Sequence, residues 1–279
     1  MTAVARKSVW QRHIALTQEH GSWVFLFSPL LIGLAAGGRF TLASVYLIVT
    51  ALAAFLVRQP ITVMVKVRSH RRSPQDLPAA YFWTGVYSVI GLLGFAGLWS
   101  QGAAYVAILA LPGLPVFLWH LVLVARRAER RQIGIEVIAS GVLALAAPAA
   151  YWVGIGQVDA VGWWLWALTW FQSAASIVYA ALRLEQRPWK TVPSLGERLR
   201  AGRRALMYTT FNLVAVLILS LISVLPPLLP LAYVVQWVES IYGTLRPAIG
   251  VKPTRIGIRQ LLVSTVYTLV FILTWSPVA

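Results

Sequence analysis

The chain has 279 residues, of which 59% are hydrophobic and 11% charged. A soluble domain carries about 25% charged residues, and so few charges cannot cover the surface of a water-soluble protein of this size. With a mean hydropathy of +0.73, the composition reads as an integral membrane protein and excludes a soluble enzyme, a disordered chain and a fibrous protein. The 24 Lys and Arg outweigh the 8 Asp and Glu, giving a net charge of +16. In a soluble protein that excess would point to nucleic acid. Here the basic residues stand in short blocks between apolar runs, the pattern that orients a membrane protein, so no nucleic-acid partner is expected. Cys is absent, which excludes disulfides, thiol catalysis and thiolate metal sites.

A spanning helix needs about 20 mostly apolar residues. Met1 to Gln18 is polar and basic and does not read as a cleaved signal peptide. After it, nine runs qualify: His20–Gly37, Leu42–Val67, Ala79–Ser100, Ala103–Val124, Ile133–Gly154, Gly162–Leu184, Ala205–Leu225, Leu229–Leu245 and Ile256–Thr274. Pro226, Pro227 and Pro230 mark a tight hairpin between the seventh and eighth, since Pro has no amide donor and blocks helix continuation. The expected fold is an all-α bundle of nine transmembrane helices in one domain spanning 1–279.

The connections alternate in charge. Arg6, Lys7 and Arg12 precede the first run. Arg58 to Arg72, Arg126 to Arg131, Arg183 to Arg204 and Arg246 to Arg259 supply the other basic blocks. All fall on one side of a nine-span topology, and only Arg39 falls on the other. The positive-inside rule then places the N-terminus in the cytoplasm and the C-terminus outside. The longer connections, Ser69–Pro78 and Glu185–Arg204, lie on the cytoplasmic side, where function is expected to concentrate.

Ionisable groups inside a span are functional hypotheses, because burying one unpaired costs several kcal/mol. They are Glu19, His20, Arg58, His120, Glu136, Arg183, Glu239 and Arg246, with Gln172, Asn212 and Gln236 as neutral partners. All the ionisable ones sit near the cytoplasmic end of a span, which suggests one polar cavity opening to the cytoplasm. On the sixth run Gln172, Ser176, Tyr179 and Arg183 form a stripe at helical spacing. On the eighth, Gln236, Glu239 and Arg246 do so, with Gly243 thinning the wall between.

Each group also has a structural reading. Arg58, Arg183 and Arg246 could snorkel to headgroups, and Glu239 and Glu136 could close salt bridges with an Arg. Glu19-His20-Gly21-Ser22-Trp23 could be an interfacial anchor, and His120 a hydrogen-bonded core residue. Glu239 and Arg246 lie about 10 Å apart along one helix. Each therefore needs a mate from elsewhere, with Arg58 or Arg183 expected for Glu239 and Glu19 or Glu136 for Arg246. No nucleophile elbow, paired-His zinc motif or Walker loop is present.

Three stretches together resemble the YwiC-like family of bacterial membrane proteins. They are Glu19-His20-Gly21-Ser22-Trp23 with Ser28-Pro29-Leu30-Leu31-Ile32-Gly33-Leu34, then Arg58-Gln59-Pro60, then Val251-Lys252-Pro253 through Ile256-Gly257-Ile258-Arg259-Gln260. The resemblance implies a multi-pass protein of the bacterial inner membrane. The chain is more distantly similar to the UbiA superfamily of intramembrane prenyltransferases. That resemblance implies nine helices around a cavity, with functional loops after the second and sixth. Prenyltransferases hold magnesium and a diphosphate there on Asp-rich motifs, whereas this chain has only Asp76 in one loop and Glu185 and Glu197 in the other. Magnesium needs carboxylates, so no cofactor is expected, and Arg and Lys would hold a phosphate without metal.

The expected function is a cytoplasm-facing cavity for an isoprenoid-like, quinone-like or other anionic amphiphile, with membrane lipids as partners. In that reading Glu19, His20 and Glu239 move protons. Trp23, Arg58, His120, Glu136, Gln172, Tyr179, Arg183, Asn212, Gln236 and Arg246 line the substrate. A small-solute or proton-coupled transporter, with Glu239 and Glu136 as proton carriers, and a non-catalytic assembly factor are the alternatives.

Overall fold

The computed structural model describes residues 10–17, 20–128 and 132–275, and of His20 and Gly21 the backbone only. All regular structure among the described residues is helical: α1 Arg12–Ala15, α2 His20–Gly37, α3 Leu42–Arg68, α4 Leu77–Ser100, α5 Gly113–Ala125, α6 Ile133–Ala144, α7 Ala146–Ile155, α8 Ala160–Gln186, α9 Leu195–Leu221, α10 Pro230–Leu245 and α11 Pro253–Thr274. Two 3-10 segments, Pro74–Asp76 and Ala104–Ala110, precede α4 and α5. Seven stretches are long and apolar enough to cross a membrane: 42–68, 74–100, 104–125, 133–155, 160–186, 195–221 and 253–274. The two remaining expected runs form shorter helices. The apolar part of α2 is Ser22–Gly37, and α10 has 16 residues, about 24 Å of helix.

Several boundaries move for local reasons. The fourth run is not one helix from Ala103. Pro112 and Pro115 cannot donate to a helical ladder, so a 3-10 segment ends before them and α5 starts afresh at Gly113. The fifth run breaks between Ala144 and Ala146 because Pro148 has no amide for the Ala144 carbonyl. Leu145 N donates to Val142 O in a tighter turn (3.2 Å). The Trp166 indole N–H then donates to Gly141 O (2.9 Å), and that of Trp170 to Val137 O (2.8 Å).

The connection expected over Glu185–Arg204 is mostly helix. α8 runs on to Gln186, and α9 starts at Leu195 under a capping box, with Ser194 Oγ accepting from Glu197 N and Glu197 Oε2 from Ser194 N. The four arginines from Arg198 to Arg204 therefore decorate the first turns of a helix.

The chain divides into two compact units, Met1–Glu19 with Phe40–Ile135 and His20–Arg39 with Glu136–Ala279. In the first, α3 and α4 pack side by side. Segment 10–17 is tied to this pair: Ile14 is fully buried with Val63, Val67, Ala79 and Ala80. Gln59 Nε2 donates to His13 O (3.0 Å), and the Tyr87 hydroxyl to Ala15 O (2.9 Å). Beyond α3, Arg71 donates to the Val124 carbonyl at the end of α5.

The second unit is built on α8, whose Leu165, Ala175 and Tyr179 are fully enclosed. Around its described helices, α2 packs on α7, α9 on α10, and α11 on α2 and α10. The α2–α7 contact depends on Gly33 and Gly37, four apart on one face, as in helix pairs whose backbones approach closely in membranes. A Cβ on Gly33 would lie 2.2 Å from the Ala147 carbonyl oxygen, and one on Gly154 would lie 3.0 Å from the Gly37 Cα. Gly33→Ala is therefore expected to lower stability by about 1–3 kcal/mol, read as a fall in the thermal midpoint of the purified protein. Gly85→Ala, where an added methyl meets nothing within 4 Å, should leave the midpoint level or raise it.

Candidate functional site

The apolar faces of α8, α10 and α11 enclose a line of polar side chains. With no water in a hydrocarbon core, each must find its partner on a neighbouring helix. Near the α9 hairpin, the Tyr267 hydroxyl donates to Tyr233 (3.2 Å), which donates to Leu168 O (2.9 Å). Further along, Gln172 Nε2 donates to Gln236 Oε1 (3.2 Å), and Ser176 Oγ to Gln260 Oε1 (2.9 Å). Asn212 of α9 donates to Phe171 O (2.8 Å).

The line ends in an ion pair. Arg259 grips Glu239 with two parallel hydrogen bonds, Nε to Oε1 at 2.6 Å and Nη2 to Oε2 at 2.8 Å. Tyr179 donates its hydroxyl to the same Oε1 (2.7 Å). The Glu239 side chain is 8% exposed and that of Arg259 44%, so the pair stands at the edge of the packed interior. A bidentate, charge-assisted contact is among the strongest hydrogen-bonding arrangements available to side chains. The Arg259 guanidinium also lies 4.3 Å from the Tyr242 ring centroid, and Arg246 lies over the same ring at 5.6 Å.

Gly243 makes this packing possible. A Cβ there would lie 2.2 Å from the Tyr179 hydroxyl oxygen, so the expected thin wall exists and Tyr179 fills it.

Beside it, Arg183 and Gln186 close the end of α10. Arg183 Nη1 donates to Gly243 O (2.7 Å) and Arg246 O (2.6 Å), and to Gln186 Oε1 (2.9 Å). Gln186 Nε2 donates to Gly243 O (3.1 Å), while its Oε1 accepts from Ala248 N (3.1 Å). Arg198 donates to Leu245 O. These cations and amides satisfy carbonyls that a helix leaves open at its C-terminus, where the dipole favours positive charge.

Of the candidate residues, the structure brings together Gln172 with Gln236 and Tyr179 with Glu239, and sets Arg183 against the end of α10. One expected pairing is corrected. Glu239 is held by Arg259 in place of Arg58 or Arg183. Arg246 lies beyond the last helical residue, Leu245, so the stripe stops short of it and its side chain turns to Tyr242.

Glu136 is exposed in the first turn of α6, and Trp23 stacks on Phe27. In the first unit, Arg58 lies over the Phe55 ring at 5.3 Å and His120 stacks on Phe117. Glu19 and the His20 side chain lie outside the described residues. Arg259, Tyr242 and Gln260 were not among the candidates. Their signal was spacing: Arg259 follows Arg255 by four residues, inside a run whose first turns are helical. Among the described residues, no group of three or more His, Asp or Glu is placed to hold a metal ion.

Glu239→Gln should leave Arg259 uncompensated and cost about 1–3 kcal/mol. The double variant with Arg259→Gln should recover most of that loss in a thermal double-mutant cycle.

The YwiC-like protein family model matches residues 16–151. The chain is 24% identical over 154 residues to the uncharacterized protein YwiC of Bacillus subtilis (strain 168), covering 54% of this chain and 59% of that protein. It thus spans less than two thirds of that relative's length. No solved structure is significantly similar. The ion pair and the polar line of α8, α10 and α11 lie beyond the matched stretch. Over residues 16–151 the chain is similar to the YwiC-like family.

Proposed function

We propose that this multi-pass membrane protein binds the anionic headgroup of an isoprenoid-like or similar amphiphile at the edge formed by Arg246, Tyr242, Arg255 and Arg259. The carrying observation is two guanidinium groups on one partly exposed tyrosine ring. Arg255, four residues before Arg259, is exposed on the same face of α11. Glu239 neutralises one of these three cations and leaves the edge net positive. Planar guanidinium groups oriented on an aromatic ring suit bidentate capture of a phosphate or carboxylate. Glu239 and Tyr179 position Arg259 from behind. With both its oxygens engaged, Glu239 fits a positioning role better than that of a proton carrier. The amphiphile class rests on the resemblance to the UbiA superfamily read from the sequence.

In this reading the chain crosses the bacterial inner membrane nine times, counting α2 and α10 with the seven longer stretches, in a UbiA-like arrangement. The N-terminus is cytoplasmic and the C-terminus outside. The charge alternation supports it, since the basic blocks share one side only if both short helices cross. Reporter fusions after Arg72, Lys190 and Gly250 should then read cytoplasm, and fusions after Gly156 and Pro227 the outside. An outside reading after Gly250 would remove α10 as a crossing.

Native mass spectrometry tests the binding. The protein should retain a prenyl phosphate in preference to the matching prenyl alcohol, and Arg246→Gln should abolish most of the preference, because that exposed side chain takes no part in the Glu239 pair. Equal retention of phosphate and alcohol would overturn the reading.

A further inference from the structure

Within the second unit, Val24, Phe25 and Ser28 of α2, Thr169, Gln172, Ser173 and Ser176 of α8, and Ser264 and Tyr267 of α11 surround a cavity of about 10 Å³. Its wall is rich in oxygen and poor in free protons. The Thr169 hydroxyl donates to Leu165 O, that of Ser173 to Thr169 O, that of Ser176 to Gln260 Oε1 and that of Tyr267 to Tyr233. Ser28 Oγ lies 2.6 Å from Thr268 Oγ1, and Thr268 donates its single proton to Ser264 O (2.8 Å), so Ser28 is the donor between them. Ser264 apart, every hydroxyl on the wall therefore commits its proton elsewhere and keeps a lone pair.

Two further oxygens add to this. Gln172 is 5% exposed, its Nε2 turns to Gln236, and its Oε1 is buried with no partner among the described residues. Pro29, inside α2, has no amide to give the Phe25 carbonyl. A buried acceptor without a donor costs about 1–3 kcal/mol. A converging group of acceptors favours a positive charge or a donated proton.

We propose that this pocket binds one electropositive particle of water size, held by Gln172 Oε1 together with the lone pairs of Ser28, Ser173 and Ser176. Sodium ion and a water molecule donating both its protons share that chemistry. A volume near 10 Å³ is about the least that admits one water, so a larger solute does not fit. The proposal is independent of the headgroup site, since it draws on none of the arginines at that edge.

The experiment combines thermal unfolding of the full chain in NaCl, KCl and choline chloride at equal ionic strength with a map in NaCl at a resolution that shows ordered water. A sodium site raises the midpoint in NaCl alone, saturably, by about 2–4 °C at tenfold excess over Kd, and Gln172→Leu loses the rise. A water site shows equal midpoints in the three salts and density within hydrogen-bond distance of Gln172 Oε1, and Gln172→Leu lacks that density. Ser173→Ala, which leaves the Gln172–Gln236 pair intact, should weaken the same readout if Gln172→Leu does not fold. Equal midpoints with no density in the pocket would overturn the proposal, as would a sodium response that survives in both variants.

Discussion

The bidentate contact between Arg259 and Glu239 is the interaction on which the second unit depends. A carboxylate on α10 that is 8% exposed is tolerable in an apolar bundle only with a cation and a full set of hydrogen bonds. Arg259 and Tyr179 supply both, one from α11 and one from α8. The contact thereby sets the register of three helices against one another, because a shift of one residue on any of them would separate the partners. Gly243 is the steric condition for the arrangement, since any side chain there would displace the Tyr179 hydroxyl.

The end of α10 follows from the same constraint. Its 16 residues leave terminal carbonyls with no helical donor, that of Gly243 buried. Arg183, Gln186 and Arg198 reach across from α8 and α9 to satisfy them. Basic residues that would serve as headgroup anchors on an isolated helix are here used to close a helix terminus. Arg246 and Arg259 differ in keeping exposed faces on Tyr242, which is why the proposed anion site is placed there and away from Arg183.

The two halves of the chain differ in how they are held. The family-matched stretch, 16–151, relies on small-residue contacts such as Gly33 and Gly37 against α7 and on aromatic and aliphatic packing of α3 with α4. From α8 onward, hydrogen bonds between side chains join α8, α10 and α11, from the tyrosine pair through Gln172–Gln236 to the ion pair. The proposed headgroup site and the proposed small pocket both adjoin that line.

Hydropathy alone located the seven helices long and apolar enough to cross a membrane, because about 20 consecutive apolar residues are what a crossing requires. The stripes of α8 and α10 were legible too: Gln172, Ser176, Tyr179, Gln236 and Glu239 are buried as their spacing required. Local sequence also contained the proline breaks in the fourth and fifth runs, although hydropathy, which averages over a window, does not register a missing amide. What only the tertiary structure decided was the choice of partners. Arg183 and Arg259 are the same residue type near the ends of apolar helices, yet one closes a helix terminus and the other holds Glu239. Periodicity assigns a residue to a face, but which neighbour meets that face depends on how helices far apart in the chain pack, and on a single glycine that lets Tyr179 reach Glu239.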